Sequence, residues 1–195
     1  MIWSDYDIKR SIEKQDITIE PYDPHLVQPA SYDLRLGNIF WIFDESLNNL
    51  NNLKVEFPHI DPRKDIKELM LRREVVNGAF YLFPQKFALG MTMEKLSLSD
   101  KVVARIEGKS SIGRMGLTVH STAGFIDPGN QDLNITLELF NQSPLPIKLY
   151  PGMKICQLAF QYLLTPCDVP YGHPSRKSRY FANNEPVPSK VNENL

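Results

Sequence analysis

Apolar residues near the N-terminus recur at helical spacing. Ile8 and Ile12 lie four positions apart and so share one face, and Ser4 precedes them with two acidic residues in the next three positions. Ser is a favoured N-cap, and acids in the first turn interact favourably with the helix dipole. The pattern predicts a short helix from Ser4 to Lys14.

The next segments alternate between extended and turn-prone stretches. Apolar alternation predicts a strand over Ile17–Ile19, and the apolar run Ile39–Phe43 predicts another. Residues 44–54 are rich in Asn and predict a surface loop. Asp61, followed by Pro and by apolar residues at helical spacing, predicts a second short helix that ends near Leu71.

From residue 79 onward, short apolar runs are separated by Pro, Gly, Asn and Ser about every 8–12 residues. This texture is typical of β-sandwiches and barrels. No unit of about 20–50 residues repeats, which disfavours a solenoid or propeller. The predicted strands are Tyr81–Phe83, Phe87–Glu94, Val102–Ile106, Leu117–His120, Asn134–Phe140, Ile147–Tyr150 and Ile155–Tyr162.

The pattern predicts one domain over residues 1–165 and a separate tail over 166–195. The tail loses apolar residues and gains Pro, Ser, Asn and basic residues. A tail of this composition is expected to be disordered, or to be ordered by a ligand or partner.

Composition excludes several classes of function. The 195 residues include 22 Lys and Arg against 23 Asp and Glu, so the chain has no bulk basic field for coating nucleic acid, and any phosphate must be met by a local cluster. There is no run of about 18 apolar residues and no basic, apolar leader, so we expect no membrane span and a cytoplasmic location. Two cysteines are too few for a disulfide scaffold.

A dense polar cluster follows the predicted strand Val102–Ile106. The segment Gly108–Arg114 reads Gly-Lys-Ser-Ser-Ile-Gly-Arg, in which the serines are expected to cap a short helical turn and the two cations to supply charge for a polyphosphate. A P-loop is disfavoured because Val103 stands where its first glycine belongs. A capped surface turn with two exposed cations remains an alternative.

A second cluster spans His120–Gly129 and the strand after it. On that strand Ile135, Leu137 and Leu139 share one face, so Glu138 projects from the other between apolar neighbours, where a carboxylate is costly unless it is used. Glu138 is therefore our candidate general base, and a solvent-facing carboxylate paired with a lysine is the alternative. Asp127 begins an Asp-Pro-Gly turn and can also accept a hydrogen bond from a sugar hydroxyl.

The sequence offers little for protein-bound zinc. The four histidines have no His or Cys neighbours at ligand spacing, and the H-x-E and P-C-x-x-C patterns of zinc deaminases are absent. His120 on an apolar strand reads as a packed core residue. We find no nucleophile elbow and no Cys/His nucleophile arrangement.

Taken together, the two clusters resemble the dCTP deaminase branch of the trimeric dUTPase superfamily. The likeness extends from Ser4 to about Asn183. It is carried, in the order of the family, by Ser31–Gly37, Lys109–Gly116, Thr122–Gly129, Tyr150–Leu158, Pro170–Gly172 and Ser178–Tyr180.

The resemblance implies a mainly β protein: a distorted, jelly-roll-like β-barrel of the dUTPase-like type, with a short N-terminal helix and one or two other short helices. It implies a homotrimer with active sites between subunits, and zinc-free deamination of dCTP. In that mechanism Glu138 activates a water that the Ser110 hydroxyl and the Ala123 carbonyl position. Arg114 orients Glu138 and stabilises developing charge.

The resemblance also implies a nucleotide site without protein ligands for a metal. Mg²⁺ is carried by the triphosphate, dCTP and dUTP are the nucleotides handled, and dTTP is an expected inhibitor. Asp127 holds the deoxyribose 3′-hydroxyl, and the tail closes over the triphosphate. The implied nucleotide-binding residues are Lys109, Ser110, Ser111, Ile112, Gly113, Arg114, Asp127, Thr136, Leu137, Glu138, Gln157, Tyr171, Arg179 and Asn183.

Two outcomes exist within the family. Members that release dUTP typically carry His-Arg after the alanine, whereas members that continue to dUMP carry Gly and an aromatic residue, here Gly124 and Phe125. Glycine leaves room for a water near the α-phosphate, and Gln157 also fits the dUMP-forming pattern. The sequence therefore favours an enzyme that converts dCTP to dUMP, diphosphate and ammonia.

Several positions depart from the family pattern. Asn130 stands where an aromatic usually follows Pro-Gly, the connection 130–133 is one residue longer than usual, and Arg179 and Asn183 replace Lys and Gln. Three other readings stay open: a deaminase that stops at dUTP, a trimer that binds nucleotide without turnover, and a dUTPase that never deaminates. The last is disfavoured because Ser178–Tyr180 replaces the glycine-rich final motif of simple dUTPases.

Overall fold

The computed structural model of the protein describes residues 1–48 and 59–194. Helix α1 covers Asp5–Glu13, and its start follows from local chemistry. The Ser4 hydroxyl accepts the Asp7 N–H at 3.3 Å, and the Asp7 carboxylate accepts the Ser4 N–H at 3.1 Å. Ile8 is fully buried beneath the sheets. The predicted N-terminal helix is confirmed.

Thirteen strands account for most of the regular structure described. A second helix, α2, covers Ser110–Gly113. The strands are β1 (Ile17–Glu20), β2 (Val27–Gln28), β3 (Ser31–Arg35), β4 (Ile39–Phe43), β5 (Met70–Glu74), β6 (Phe80–Leu82), β7 (Phe87–Leu98), β8 (Val102–Gly108), β9 (Leu117–Thr118), β10 (Phe125–Ile126), β11 (Leu133–Asn141), β12 (Ile147–Leu149) and β13 (Lys154–Tyr162).

The strands form two larger antiparallel sheets and one small one. The first sheet has the order β5-β4-β7-β11-β9, with β1 added beside β7, and the second has the order β10-β8-β13-β3-β2. Strands β12 and β6 pair separately. Buried residues of both large sheets belong to one apolar core, including Leu137 of β11 and Leu158 of β13. This mainly β, jelly-roll-like arrangement confirms the predicted fold class.

The second predicted helix, from Asp61 to about Leu71, is confirmed only as the 3-10 helix Ile66–Leu69, and its predicted start at Asp61 is wrong. The Asp61 carboxylate accepts the Arg63 N–H at 3.0 Å and pairs with the Arg63 guanidinium, so it closes a turn instead of capping a helix. A single 3-10 turn follows at Ile66–Leu69, and the chain then enters β5, which pairs with β4. Pairing of this segment with β4 at the edge of the sheet outweighs the local preference for a helix that the spacing of the apolar residues indicates.

All the predicted strands are present in the structure, although the residues at which they begin or end differ from the prediction. Strand β7 runs on to Leu98, whereas β9 stops at Thr118, before His120. The strands β2, β3, β5 and β10 were not predicted. The loop predicted over 44–54 begins with a 3-10 turn at Glu45–Asn48, and its positions 49–54 lie outside the described residues.

The tail after β13 packs on the chain's own sheets, in contrast to both states expected for it. The Tyr171 N–H donates to the Pro128 carbonyl at 2.8 Å, and the Asn134 N–H donates to the Asn183 carbonyl at 3.1 Å. Pro186 and Pro188 are buried. Within the described part of the chain, no helix has both the length and the apolarity to cross a membrane.

Candidate active site

A cavity of about 650 Å³ lies where the first sheet, the hairpin at β10 and the tail meet. One end is apolar, with side chains from β4, β5 and β7. The other end carries the polar residues of the second sequence cluster. The cavity is lined by Phe43, Ile66, Met70, Phe87, Leu89, Ile106, Ala123, Phe125, Ile126, Asp127, Asn130, Leu133, Ile135, Thr136, Glu138, Tyr171, Tyr180, Val187 and Ser189.

Strand alternation directs Glu138 into this cavity. Leu137 and Leu139 are fully buried on the core face of β11, while Thr136 and Glu138 are half-buried on the other face. The Ser121 N–H donates to Glu138 Oε2 at 2.7 Å. Among the ion pairs of the described residues none involves Glu138, so the lysine-paired alternative is not what the structure contains.

The segment Ala123–Asp127, which contains β10, forms one side of the cavity that Glu138 also lines. Ala123 and Phe125 both line it, and Phe125 is 60% exposed. The Ile106 N–H donates to the Gly124 carbonyl at 2.8 Å. A Cβ at position 124 would lie 3.1 Å from the Ile106 carbonyl oxygen and 3.3 Å from the His120 ring. A side chain at 124 would therefore have to displace its neighbours.

The phosphate-motif cluster has a different arrangement from the one expected. The serines do not cap α2: Lys109 is its N-cap residue, without a side-chain cap, and Ser110 and Ser111 are its first two residues. Buried Ile112 anchors the turn, while Ser110, Ser111, Gly113 and Arg114 are exposed. Lys109, Ile112 and Gly113 line a second cavity of about 150 Å³ that His120 also borders.

Lys109 is held by a carboxylate that the sequence did not single out. Its Nζ lies 2.5 Å from Oδ1 of Asp33, which is 2% exposed, and Lys154 Nζ lies 3.2 Å from the other oxygen. Gln157 is next to this cluster, since its Nε2 donates to the Gly108 carbonyl at 3.4 Å. Lys109, which was expected to supply positive charge for a phosphate, therefore forms an ion pair with Asp33 of its own chain.

The tail supplies the remaining wall of the large cavity. The Tyr180 N–H donates to the Tyr171 hydroxyl at 3.2 Å, and the Lys190 N–H donates to the Tyr180 hydroxyl at 2.8 Å. Burial is the main reason that the pKa of Tyr171 is raised above its usual value, so this hydroxyl keeps its proton at neutral pH. Arg179 and Asn183 contact the chain through their carbonyl groups and do not line the cavity.

The structure therefore brings together only part of the predicted site. Ala123, Phe125, Asp127, Thr136, Glu138 and Tyr171 line one cavity. Leu137 faces the core, and α2 with Arg114 lies outside the lining. Tyr180, Ser189 and the apolar end were not predicted, because residues far apart in the chain form them. Among the described residues no group of three or more His, Cys, Asp or Glu could hold a metal ion.

A bidentate ion pair holds the tail beside the cavity. Arg72 donates to both carboxylate oxygens of Glu185, at 2.9 and 3.2 Å. Removing either partner should accelerate chymotryptic cleavage at Tyr180 about two- to fivefold, the range expected for an exposed pair. Arg72→Gln, Glu185→Gln and the double variant are to be compared, with Arg63→Gln as a control that leaves the tail untouched. If the ion pair holds the tail, the double variant should be cleaved no faster than either single variant. Additive increases in the cleavage rate would contradict this role of the pair.

The fold and this site define the class of the protein: a mainly β, jelly-roll-like protein with a cavity of about 650 Å³ that carries the Glu138 carboxylate. It belongs to the dCTP deaminase-like family, whose family model matches residues 2–163. This confirms the resemblance seen in the motifs.

Individual relatives agree with the family assignment. A protein from Corynebacterium efficiens named "dCTP deaminase, dUMP-forming" is 46% identical over 191 residues, covering 97% of this chain and 94% of the relative. A protein of the same name from Methanobrevibacter smithii is 43% identical over 194 residues, covering 97% and 95%. The crystal structure of 2′-deoxycytidine 5′-triphosphate deaminase from Agrobacterium tumefaciens superposes with a TM-score of 0.60 at 23% identity, which supports the fold. This chain spans 48% of that chain, and 83% of this chain is covered.

Proposed function

We propose that the protein hydrolytically deaminates dCTP at C4 of the cytosine and cleaves the triphosphate to give dUMP, diphosphate and ammonia. The observation that carries the proposal is the Glu138 carboxylate, held at 2.7 Å by the Ser121 N–H on the wall of the cavity. The full-length relatives named "dCTP deaminase, dUMP-forming" support it. The product dUMP would supply thymidylate synthesis.

Deamination needs a base that can also return protons. Glu138 takes a proton from a water, whose oxygen bonds to C4 of the cytosine, and the proton passes to N3 to give a tetrahedral adduct. A second proton, relayed by the same carboxyl group, reaches the amino nitrogen. The C4–N bond then breaks, ammonia leaves, and the C4 oxygen becomes the carbonyl of uracil. Ala123 lines the cavity, and its carbonyl would orient the attacking water together with the Ser110 hydroxyl.

The second half of the site is assigned to a neighbouring subunit. Ser110, Ser111 and Arg114 are exposed and lie outside the cavity lining of their own chain. In a homotrimer these groups reach the Glu138 cavity of the next subunit, where Arg114 orients the carboxylate and stabilises developing charge. Each chain then contributes Glu138 to one active site and Ser110, Ser111 and Arg114 to another, so that only the trimer contains complete sites.

The remaining assignments concern the nucleotide. Asp127 holds the 3′-hydroxyl, and Thr136 and the main chain at Leu137 flank the base. Ser111, Ile112, Gly113, Gln157, Tyr171, Arg179 and Asn183 contact the triphosphate. Lys109 acts through its ion pair with Asp33, which fixes the start of α2.

Mg²⁺ would arrive with the triphosphate and neutralise phosphate oxygens. Mg²⁺ bound to a nucleotide needs few protein ligands, and this fits a site with isolated carboxylates, Asp127 and Glu138. We further propose that dTTP inhibits the enzyme by binding in the same cavity. We also propose that the protein is located in the cytoplasm.

An assay of ammonia release tests the deamination step. Purified protein is incubated with Mg²⁺ and either dCTP or dUTP, and ammonia and diphosphate are measured in parallel. We expect dCTP to yield both ammonia and diphosphate, and dUTP to yield diphosphate without ammonia. Nucleotide binding without ammonia would contradict it, and would favour the non-catalytic trimer instead.

Gly124 is expected to decide which product leaves. A Cβ at position 124 would lie 3.1 Å from the Ile106 carbonyl oxygen and 3.3 Å from the His120 ring, so the imidazole of Gly124→His has to displace these neighbours. We expect it to take the space of the water that attacks the α-phosphate. We expect the ratio of dUMP to dUTP to fall at least about tenfold, the equivalent of about 1.4 kcal/mol in barrier height. Ammonia release should change less. A variant that still forms mainly dUMP, with an unchanged melting temperature, would remove Gly124 from this role.

A further inference from the structure

Strand β7 carries a bulge opposite the start of the stretch of β11 that bears Glu138. On one side of the bulge Asn134 pairs with Lys95, and on the other side Thr136 pairs with Met91. Three residues of β7 therefore lie opposite a single residue of β11. The bulge shifts the register of the two strands by two residues just before Glu138.

Two buried polar side chains hold the bulge. The hydroxyl of Thr92, which is fully buried, donates to the Glu94 carbonyl at 2.8 Å and accepts the Ile135 N–H at 2.9 Å. The side-chain amide of Asn134, a residue 4% exposed, donates to the three main-chain carbonyls of the bulge at 3.1–3.3 Å. These bonds satisfy main-chain groups that the interrupted ladder leaves without a partner on the other strand.

The apolar pattern of β11 does not by itself exclude another register. Without the bulge, the register of the first pairs would continue and place Glu138 opposite Met91 instead of Leu89. A displacement of two residues moves a side chain about 7 Å along the strand and leaves it on the same face of the sheet. The hydrogen bonds of Thr92 and Asn134 distinguish the two registers, because these bonds require the bulge.

The register determines the surroundings of the Glu138 carboxylate. In the observed register its Oε2 accepts the Ser121 N–H at 2.7 Å, and the Glu138 N–H donates to the Val119 carbonyl at 3.1 Å. Leu89, the residue opposite, lines the same cavity. A general base has to lie within hydrogen-bond distance of the attacking water, so a displacement of even about 1 Å lowers the rate sharply.

We propose that Thr92 and Asn134 are positioning residues for Glu138: through the bulge in β7 they fix the register of β11 that places the carboxylate in the cavity. Both side chains lie outside the cavity lining, so they act through the main chain. This inference rests on the proposed function, because that function makes Glu138 the general base. A merely structural role would change the stability of the fold without a separate effect on the chemical step.

The test compares three substitutions with a control on the same strand. Thr92→Val removes the hydroxyl at nearly constant shape, Thr92→Ser retains it, and Asn134→Leu removes the amide. Asn141→Leu is the matched control. Asn141 is also fully buried on β11, and its side-chain amide donates to two main-chain carbonyls at 2.8 and 2.9 Å, at the end of the strand beyond Glu138.

We expect kcat for ammonia release from dCTP to fall at least about tenfold in Thr92→Val and Asn134→Leu, because the carboxylate loses its exact position. The dissociation constant of dCTP, measured in a Glu138→Gln background, should change less than about threefold, since binding is spread over many contacts. Thr92→Ser and Asn141→Leu should keep kcat within about threefold of wild type, although Asn141→Leu lowers the melting temperature. An equal fall of kcat in Asn141→Leu, or an unchanged kcat in both Thr92→Val and Asn134→Leu, would overturn the inference.

Hydrogen exchange separates failure of the proposed function from failure of this inference. Main-chain exchange over residues 134–138 is followed by mass spectrometry in wild type, Thr92→Val and Asn141→Leu. It should be at least about fivefold faster in Thr92→Val than in wild type, and unchanged in Asn141→Leu. A wild type that releases no ammonia would contradict the proposed function, while the exchange rates would still decide whether Thr92 holds the register. Unchanged exchange in Thr92→Val would overturn the inference even in an active enzyme.

Discussion

Glu138→Gln should abolish ammonia release from dCTP, with a fall of at least about a thousandfold, because the amide can neither take the proton of the attacking water nor return it. Binding of dCTP should stay within a few-fold of wild type, since the glutamine carbonyl can still accept the Ser121 N–H that now donates at 2.7 Å. Ammonia assays and calorimetry on the same preparation measure the two effects.

A second carboxylate provides the control for this experiment. Glu107 lies exposed on β8, near Arg105, and does not line the cavity. Glu107→Gln should keep full activity. An active Glu138→Gln enzyme would eliminate the general-base mechanism.

Arg114→Ala should lower ammonia release at least about a hundredfold through lost transition-state stabilisation. The side chain is exposed at the C-terminal end of α2, and no hydrogen bond or ion pair of its side chain occurs within the described residues. Its removal should therefore leave the melting temperature unchanged, so a loss of activity cannot be ascribed to unfolding. Arg105→Ala, which removes an exposed arginine of β8, is the matched control.

Co-expression of the two inactive chains tests where Arg114 acts. If Arg114 and Glu138 of different subunits complete one site, random mixed trimers of Arg114→Ala and Glu138→Gln chains contain intact sites, and about a quarter of wild-type activity should return. No recovery in trimers shown to be mixed would place both groups in one subunit.

Local chemistry explains what the sequence could predict. The Ser4 cap and the spacing of Ile8 and Ile12 determine α1, and strict alternation places Glu138 on the face opposite Leu137. These features depend on residues a few positions apart. After Asp61 the predicted helix is reduced to the 3-10 helix Ile66–Leu69, and from Met70 onward sheet pairing with β4 determines the structure.

Long-range partners explain what could not be predicted. Asp33 and Lys109 are 76 positions apart, so no local pattern reveals that the first cation of the phosphate motif is paired. The closure of the cavity by Tyr180 and Ser189 also depends on where the tail packs. Asn130 could be seen as a departure from the family pattern, whereas the three-dimensional structure is needed to see that its Oδ1 is buried without a hydrogen-bond partner among the described residues.

The most direct test of the central claim is anion-exchange separation of the nucleotides formed from dCTP and Mg²⁺, followed over time with ammonia measured in the same samples. We expect dUMP and ammonia in equal amounts from the earliest points, with diphosphate and without accumulation of dUTP. Ammonia with dUTP as the final nucleotide would contradict the coupled reaction, and the absence of ammonia would contradict deamination itself.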